Sequence, residues 1–195
     1  MRLALFTKTI ICIFSFMLIV LVVSNSLKAA TIQGSMGPTS NGRVDIIQVV
    51  GLLARIKGID DIFNFGLWSG TGGLSQNDDI CIGVNNGGLY QILATGDGDA
   101  SDPNAFTLAN GAHRINYNVY FNDNTGTAGQ QQLTAGTLLT GLFASAPNAI
   151  RNLTGNGCGP PRRNANFMVE IPESELQQGQ AGNYFGILTL VLIPQ

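Results

Sequence analysis

Apolar residues follow two rhythms along this chain. Between residues 10 and 23 they form one unbroken block, IICIFSFMLIVLVV, and after residue 42 they come in short runs of period two separated by Gly, Asn, Asp and Pro. Alternation puts successive side chains on opposite faces of an extended chain, so the second rhythm is that of β-strands. It predicts strands over 43–57, 59–65, 79–84, 89–95, 112–121, 137–143, 166–171 and 184–193, with no helical spacing sustained for three turns after the first block. The clearest case is RINYNVYF, where Ile115, Tyr117, Val119 and Phe121 alternate with Arg114, Asn116, Asn118 and Tyr120 to give one core face and one more polar face. The expected fold class is all-β, a sandwich of antiparallel sheets.

The joints and the two ends refine this picture. Asn85-Asn86-Gly87-Gly88 links DICIGV to LYQILAT; Asn and Gly tolerate the positive φ of tight turns, so these two segments are expected to pair antiparallel. Ser145 to Arg163, rich in Gly and Pro, reads as a long connection, and Thr31 to Asn41 as a short polar lead-in. The leading run RVDIIQVVGLLARI offers two rows: Ile47, Val49, Gly51 and Leu53, or Ile46, Gln48, Val50, Leu52, Ala54 and Ile56. In the terminal run AGNYFGILTLVLIPQ, Ile187, Thr189, Val191 and Ile193 alternate with Leu188, Leu190 and Leu192, so both faces are apolar and the strand reads as buried on both sides. The sequence ends one residue after Pro194, and an apolar strand edge with nothing to pair with it invites association.

The unbroken block has a different meaning. Arg2 and Lys8 precede it and Ser24, Ser26, Ala29 and Ala30 follow, the layout of a secretory signal peptide over residues 1–30. At about 14 residues it falls short of the roughly 20 that cross a bilayer. Cleavage near Ala29 or Ala30 leaves about 165 residues, enough for one domain with a sizeable core. It also leaves 7 basic residues against 12 acidic ones, and with Arg162-Arg163 as the only basic pair no nucleic-acid surface is expected. Cys12 departs with the peptide, so Cys81 and Cys158 remain and most simply form one disulfide in an oxidising compartment.

Catalytic and metal-binding signals are weak. The single histidine, His113, opens a strand, and no Gly-x-Ser-x-Gly elbow accompanies it, so no nucleophile has a base in view and no enzyme is expected. Two cysteines and one histidine lack metal-ligand spacing. Asp97-Gly98-Asp99-Ala100-Ser101-Asp102 begins like a calcium loop, but position twelve of that frame is Leu108, and an acidic turn is the better reading. Asp60-Asp61, Asp78-Asp79 and Glu173/Glu175 are carboxylate pairs at strand ends or in loops, where solvation accounts for them. Gly70-Thr71-Gly72-Gly73 lacks the Lys and Ser/Thr of a phosphate loop, and Asn152-Leu153-Thr154 is a glycosylation sequon only in a eukaryotic source. No cofactor is expected.

Four segments in order, GRVDIIQVVGLLARI, DDICIGVNNGGLYQILATGDG, INYNVYFNDNTG and GNYFGILTLVLIPQ, resemble chaperone-usher pilus subunits, most of all the archaic and alternative classes that include spore-coat-U-type domains and colonisation-factor pilins. The resemblance spans nearly the whole exported chain. It implies an immunoglobulin-like β-sandwich that lacks one strand and is completed by a strand from the next subunit. Residues 31–57 would then be an N-terminal extension and 58–195 the pilin domain. The donor strand would be Ile47, Val49, Gly51 and Leu53, the row favoured because family donors often carry a Gly where donor and groove approach closely. Tyr184, Ile187, Thr189, Val191 and Ile193 would border the acceptor groove. Burying four such donor side chains contributes about 5–8 kcal/mol before ordering costs. The implied partners are copies of the chain or related pilins, a periplasmic chaperone holding the carboxylate of Gln195, and an outer-membrane usher. The implied role is a structural subunit of a surface fibre, reached through the periplasm and serving adhesion or biofilm. Many family members join two early strands by a disulfide, whereas here no cysteine lies between residues 31 and 80. The alternative is a self-complemented secreted sandwich, a surface, coat or carbohydrate-binding protein with 43–57 folded into its own groove.

Overall fold

The structure is a computed structural model that describes residues 31–32, 36–39, 43–44, 46–59 and 63–195; residues 1–30, expected to be a signal peptide, and Asp60-Asp61 lie outside the described residues. The described chain divides between Val50 and Gly51. In the first unit, β1 (Thr31–Ile32) pairs antiparallel with β2 (Arg43–Val44).

The second unit is an all-β sandwich. Its strands are β3 (Ala54–Lys57), β4 (Leu74–Val84), β5 (Leu89–Thr95), β6 (Thr107–Asn110), β7 (His113–Asn116), β8 (Asn118–Asn122), β9 (Gln131–Gln132), β10 (Leu138–Phe143), β11 (Ala165–Ile171) and β12 (Thr189–Pro194), with two short helices, α1 (Asn148–Thr154) and α2 (Glu173–Gln178). One sheet runs β3-β4-β11-β8-β9 and the other β10-β5-β12, while β6 and β7 form a separate hairpin. Every pairing is antiparallel.

Alternation makes the core. Val119 and Phe121 of β8 are fully buried, Tyr90, Ile92 and Ala94 of β5 likewise, and the rings of Tyr90 and Phe121 meet edge to face with centroids 6.4 Å apart. On the outer side of β8, the Tyr120 hydroxyl donates to Glu170 at 2.9 Å. Ile80 to Val84 are buried at every position, in contrast to the half-buried pattern elsewhere, because α1 packs on the outside of β4. Gly83 makes that approach possible: a Cβ there would lie 2.5 Å from the amide nitrogen of Leu153.

Several expectations from the sequence need correction. DICIGV and LYQILAT do not pair, since β4 has β3 and β11 on its two edges and β5 has β10 and β12. The Asn85–Gly88 turn, with Gly87 and Gly88 at φ of 86° and 110°, instead carries the chain from one sheet to the other. The run expected as a strand over 59–65 is not one at its described residues, 59 and 63–65; Phe63 stacks on Phe167 of β11 with centroids 5.3 Å apart, so apolar character here serves packing without pairing. The connection from 145 to 163 contains α1, whose seven residues are too few to show a helical period, and α2 and β6 had no counterpart in the predicted elements. The strand expected over 184–193 begins only at Thr189; before it, Phe185 makes a single bridge to Ala109 of β6.

Cys81 and Cys158 are disulfide-bonded, with Cα atoms 5.7 Å apart. The bond fastens β4 to the segment after α1. Nearby, Lys57 of β3 donates to the carbonyls of Gly155 and Gly157 at 2.5 and 3.2 Å, and Arg55 donates to that of Leu153 at 3.1 Å. Both cations thus meet the carbonyl-rich end of α1 and its exit. Desolvation first, and then the neighbouring charges of Arg55 and Arg162, hold the Lys57 ammonium below the ordinary lysine range.

Candidate functional site

The open side of the sandwich is the candidate site. β12 is outermost in its sheet and β3 outermost in the other, and the two strands lie next to each other without pairing. Among the described residues no strand hydrogen-bonds to the free edge of β12. The core is correspondingly thin here: Ile56 of β3 and Leu188, Leu190 and Leu192 around β12 pack against the central cluster yet stay half-buried, while the residues opposite them on β5 are fully enclosed. A free main-chain edge above a partly covered apolar floor is what an added strand would complete.

The row facing that floor is Leu188, Leu190 and Leu192. The row expected from the sequence, Ile187, Thr189, Val191 and Ile193, lies on the other face of the chain: Ile187, Thr189 and Val191 are exposed and Ile193 is half-buried. The register explains the inversion, since Leu190 and Leu192 sit opposite Ala94 and Ile92, which point inward, and Val191 sits opposite Leu93, which does not. Tyr184 is separate from β12 and half-buried against the core, and its hydroxyl is enclosed without a partner.

The leading run is divided by the structure. Ala54 to Lys57 belong to the chain's own sheet as β3, paired with Cys81 to Val84, so the extension expected to reach residue 57 gives up its last four residues. Residues 46–53 pair with nothing as a strand, and their large apolar side chains are exposed, from 56% at Leu53 to 88% at Ile46. Both rows are equally free, Ile47, Val49 and Leu53 on one side and Ile46, Val50 and Leu52 on the other. A Cβ on Gly51 would meet nothing within 4 Å, so no contact among the described residues requires glycine there. Asn85 reaches this stretch: the Leu53 amide donates to its Oδ1 at 2.7 Å, and its Nδ2 donates to the Gly51 carbonyl at 2.8 Å.

At the other end of the edge, the Gln195 amide donates to the Leu89 carbonyl at 3.2 Å, and Asn86 Nδ2 donates to the Gln195 carbonyl. The remaining candidates are structural in their contacts. Asp99 Oδ1 accepts from the amides of Ser101 and Asp102 and from the Ser101 hydroxyl, which hold its carboxyl below the ordinary range, and Asp97 accepts from the Ile187 amide at 2.9 Å. Asp79 accepts from the Gly126 amide and the Asn166 side chain, and Glu175 from the Asn116 amide and side chain. His113 is exposed. Asn152, the sequon residue, is fully buried and donates to the carbonyls of Ile82 and Arg162, which leaves its amide closed to glycosylation in the folded chain.

No family profile matches the sequence, and no curated protein matches it either. The fold does have a solved counterpart: a chain from a structure of a chaperone–tip adhesin complex in CFA/I fimbriae biogenesis, at a TM-score of 0.50 and 17% identity. The match covers 73% of this chain and 41% of that one, so this chain spans about two fifths of its counterpart. At that identity the shared property is the fold, an all-β sandwich also found in a fimbrial complex.

Proposed function

We propose that this protein is a structural subunit of a surface fibre, a pilus assembled by strand exchange and serving adhesion or biofilm. One observation carries the reading: a single chain holds both an unpaired apolar stretch, 46–53, and an unpaired strand edge over a thinly covered core at β12. Each is a liability alone, and each is what the other lacks. A head-to-tail contact between them does not close on itself and builds a fibre. The likeness to a chain from a fimbrial complex supports the reading, and the Cys81–Cys158 bond suits an oxidising compartment outside the cytoplasm.

In this reading Leu188, Leu190 and Leu192 floor the groove, and the incoming strand runs along β12 with one of its two rows, Ile47, Val49, Gly51 and Leu53 or Ile46, Val50 and Leu52, turned inward. The exposed row Ile187, Thr189 and Val191 remains beside the main-chain edge that the strand pairs with. The partners are copies of the chain or related pilins, a periplasmic chaperone that covers the groove and holds the carboxylate of Gln195, and an outer-membrane usher. No residue is given a catalytic role.

The test is size-exclusion chromatography with light scattering on periplasmic protein, wild type against a deletion of residues 31–53 that spares β3. Large SDS-resistant oligomers that disappear with the deletion are expected. A deletion variant that oligomerises like wild type would sink the proposal. The second reading, a self-complemented sandwich acting as a surface, coat or carbohydrate-binding protein, draws on β3, which does complete the chain's own sheet. It requires a wild-type chain that stays monomeric at high concentration.

A further inference from the structure

The Asn85–Gly88 turn touches both lips of the open side. Asn85 grips the leading segment with three hydrogen bonds: Leu53 amide to Oδ1 at 2.7 Å, Asn85 amide to the Leu53 carbonyl at 3.3 Å, and Nδ2 to the Gly51 carbonyl at 2.8 Å. Asn86 ties the start of β5 to the residue after the last strand, donating from Nδ2 to the Leu89 carbonyl at 2.7 Å and to the Gln195 carbonyl. The bend itself needs only Gly87 and Gly88, which supply the positive φ. Two amide side chains that reach partners 34 and 109 residues away therefore do something beyond turning the chain.

We infer that Asn85 and Asn86 form the joint of the assembled fibre. Asn85 fixes the point at which the lent segment leaves its subunit, and Asn86 fixes the end of the strand beside which the next subunit's segment docks. Both sit on one turn, so the strand given and the strand received are referred to the same rigid point. The consequence for the fibre follows from chain length: Gly51 and Leu53 are clamped and Ala54 already belongs to β3, so the part of the run that can be lent lies before the clamp, and no polar linker stands in the sequence between them. Subunits joined this way transmit direction from one to the next, whereas a free polar linker would let them swivel.

This inference rests on the strand-exchange reading, and the experiment separates the two. Polymers of the full exported chain are imaged by electron microscopy and their persistence length measured, for wild type and Asn85→Ala, alongside amide exchange at Leu53. Asn85→Ala is expected to keep the SDS-resistant ladder, to speed exchange at Leu53 about tenfold as its hydrogen bond is lost, and to shorten the persistence length about twofold or more. Asn85→Asp keeps the acceptor for Leu53 and loses the bond to Gly51, so it is expected to restore slow exchange at Leu53 and part of the stiffness. It also carries the test if the alanine variant does not fold. Asn86→Ala is expected to leave Leu53 exchange unchanged. An Asn85→Ala chain that polymerises with wild-type stiffness or leaves Leu53 exchange as it was, or an Asn85→Asp chain of full wild-type stiffness where the alanine variant does not fold, overturns the joint alone; a wild-type chain that forms no polymer overturns the strand-exchange reading and the joint with it.

Discussion

The heart of the sandwich and its open side are built from the same kind of residue and end in opposite states. Ile80, Ile82 and Val84 of β4 and Tyr90, Ile92 and Ala94 of β5 are fully enclosed, with each strand paired on both edges. Leu188, Leu190 and Leu192 are as apolar, yet they stay half-buried beside an edge with no partner, and the leucines, isoleucines and valines of 46–53 are exposed. Hydrophobicity alone therefore does not decide burial; a strand also needs a neighbour on each edge and a layer over its face. The open side has the side chains of a core, and among the described residues no strand pairs with its free edge.

Substitutions sharpen this contrast, beginning with the largest effect. Phe121→Ala empties a fully enclosed site and is expected to cost about 4 kcal/mol in urea unfolding. Reducing the Cys81–Cys158 bond releases a loop of 77 residues and is expected to cost about 3 kcal/mol, allowing for the shortfall commonly seen against chain-entropy values. Leu190→Ala removes a half-buried side chain and is expected to cost only about 1 kcal/mol in the isolated chain and, on the proposed strand exchange, to lower the SDS resistance of oligomers in which an added strand would cover that leucine. A loss at Leu190 as large as that at Phe121 would erase the distinction between the two regions.

The smallest effect has the opposite sign. The hydroxyl of Tyr90 is buried with no hydrogen-bond partner, so Tyr90→Phe is expected to stabilise the chain by up to about 1 kcal/mol. Burial first and Asp123 second push the Tyr90 phenol above its ordinary range, and burial with Asp97 pushes Tyr117 up to about 12. A raised folded pKa means that stability is whole below the unfolded tyrosine value near 10 and falls as pH rises past it, because only the unfolded chain ionises there. Urea melts between pH 8 and 11 should show that decline, shallower in Tyr90→Phe than in wild type.

Period two was enough to find the strands that became β5, β10 and β11 nearly to the residue, and in β5 and β11 the alternation also marks the inward face, whereas the run expected as one strand over 112–121 is divided between β7, which pairs with β6, and β8, which pairs with β11. It failed at the two ends of the candidate site for one reason. In β12 and in most of the leading run both rows are apolar, so alternation carries no phase: β12 was expected to be buried on both sides, and only the Leu188, Leu190 and Leu192 row packs against the core. The short helices were invisible because one or two turns cannot display a period, although Gly83 in the middle of an apolar strand was a trace of the helix that packs against it.

The sequence by itself determined the fold class, the places where the chain turns, the cysteine pair that bonds and the presence of apolar runs at both ends, because these depend on local alternation, on backbone freedom at Gly and Asn, and on residue count. Only the tertiary structure decided that β4 and β5 part company into different sheets, that residues 54–57 join the chain's own sheet while 46–53 pair with no strand, and that Leu190 rather than Val191 faces the core. Those outcomes depend on which strand edges are already occupied when two equally apolar choices compete, and edge occupancy is a property of the assembled sheets that no window of sequence contains.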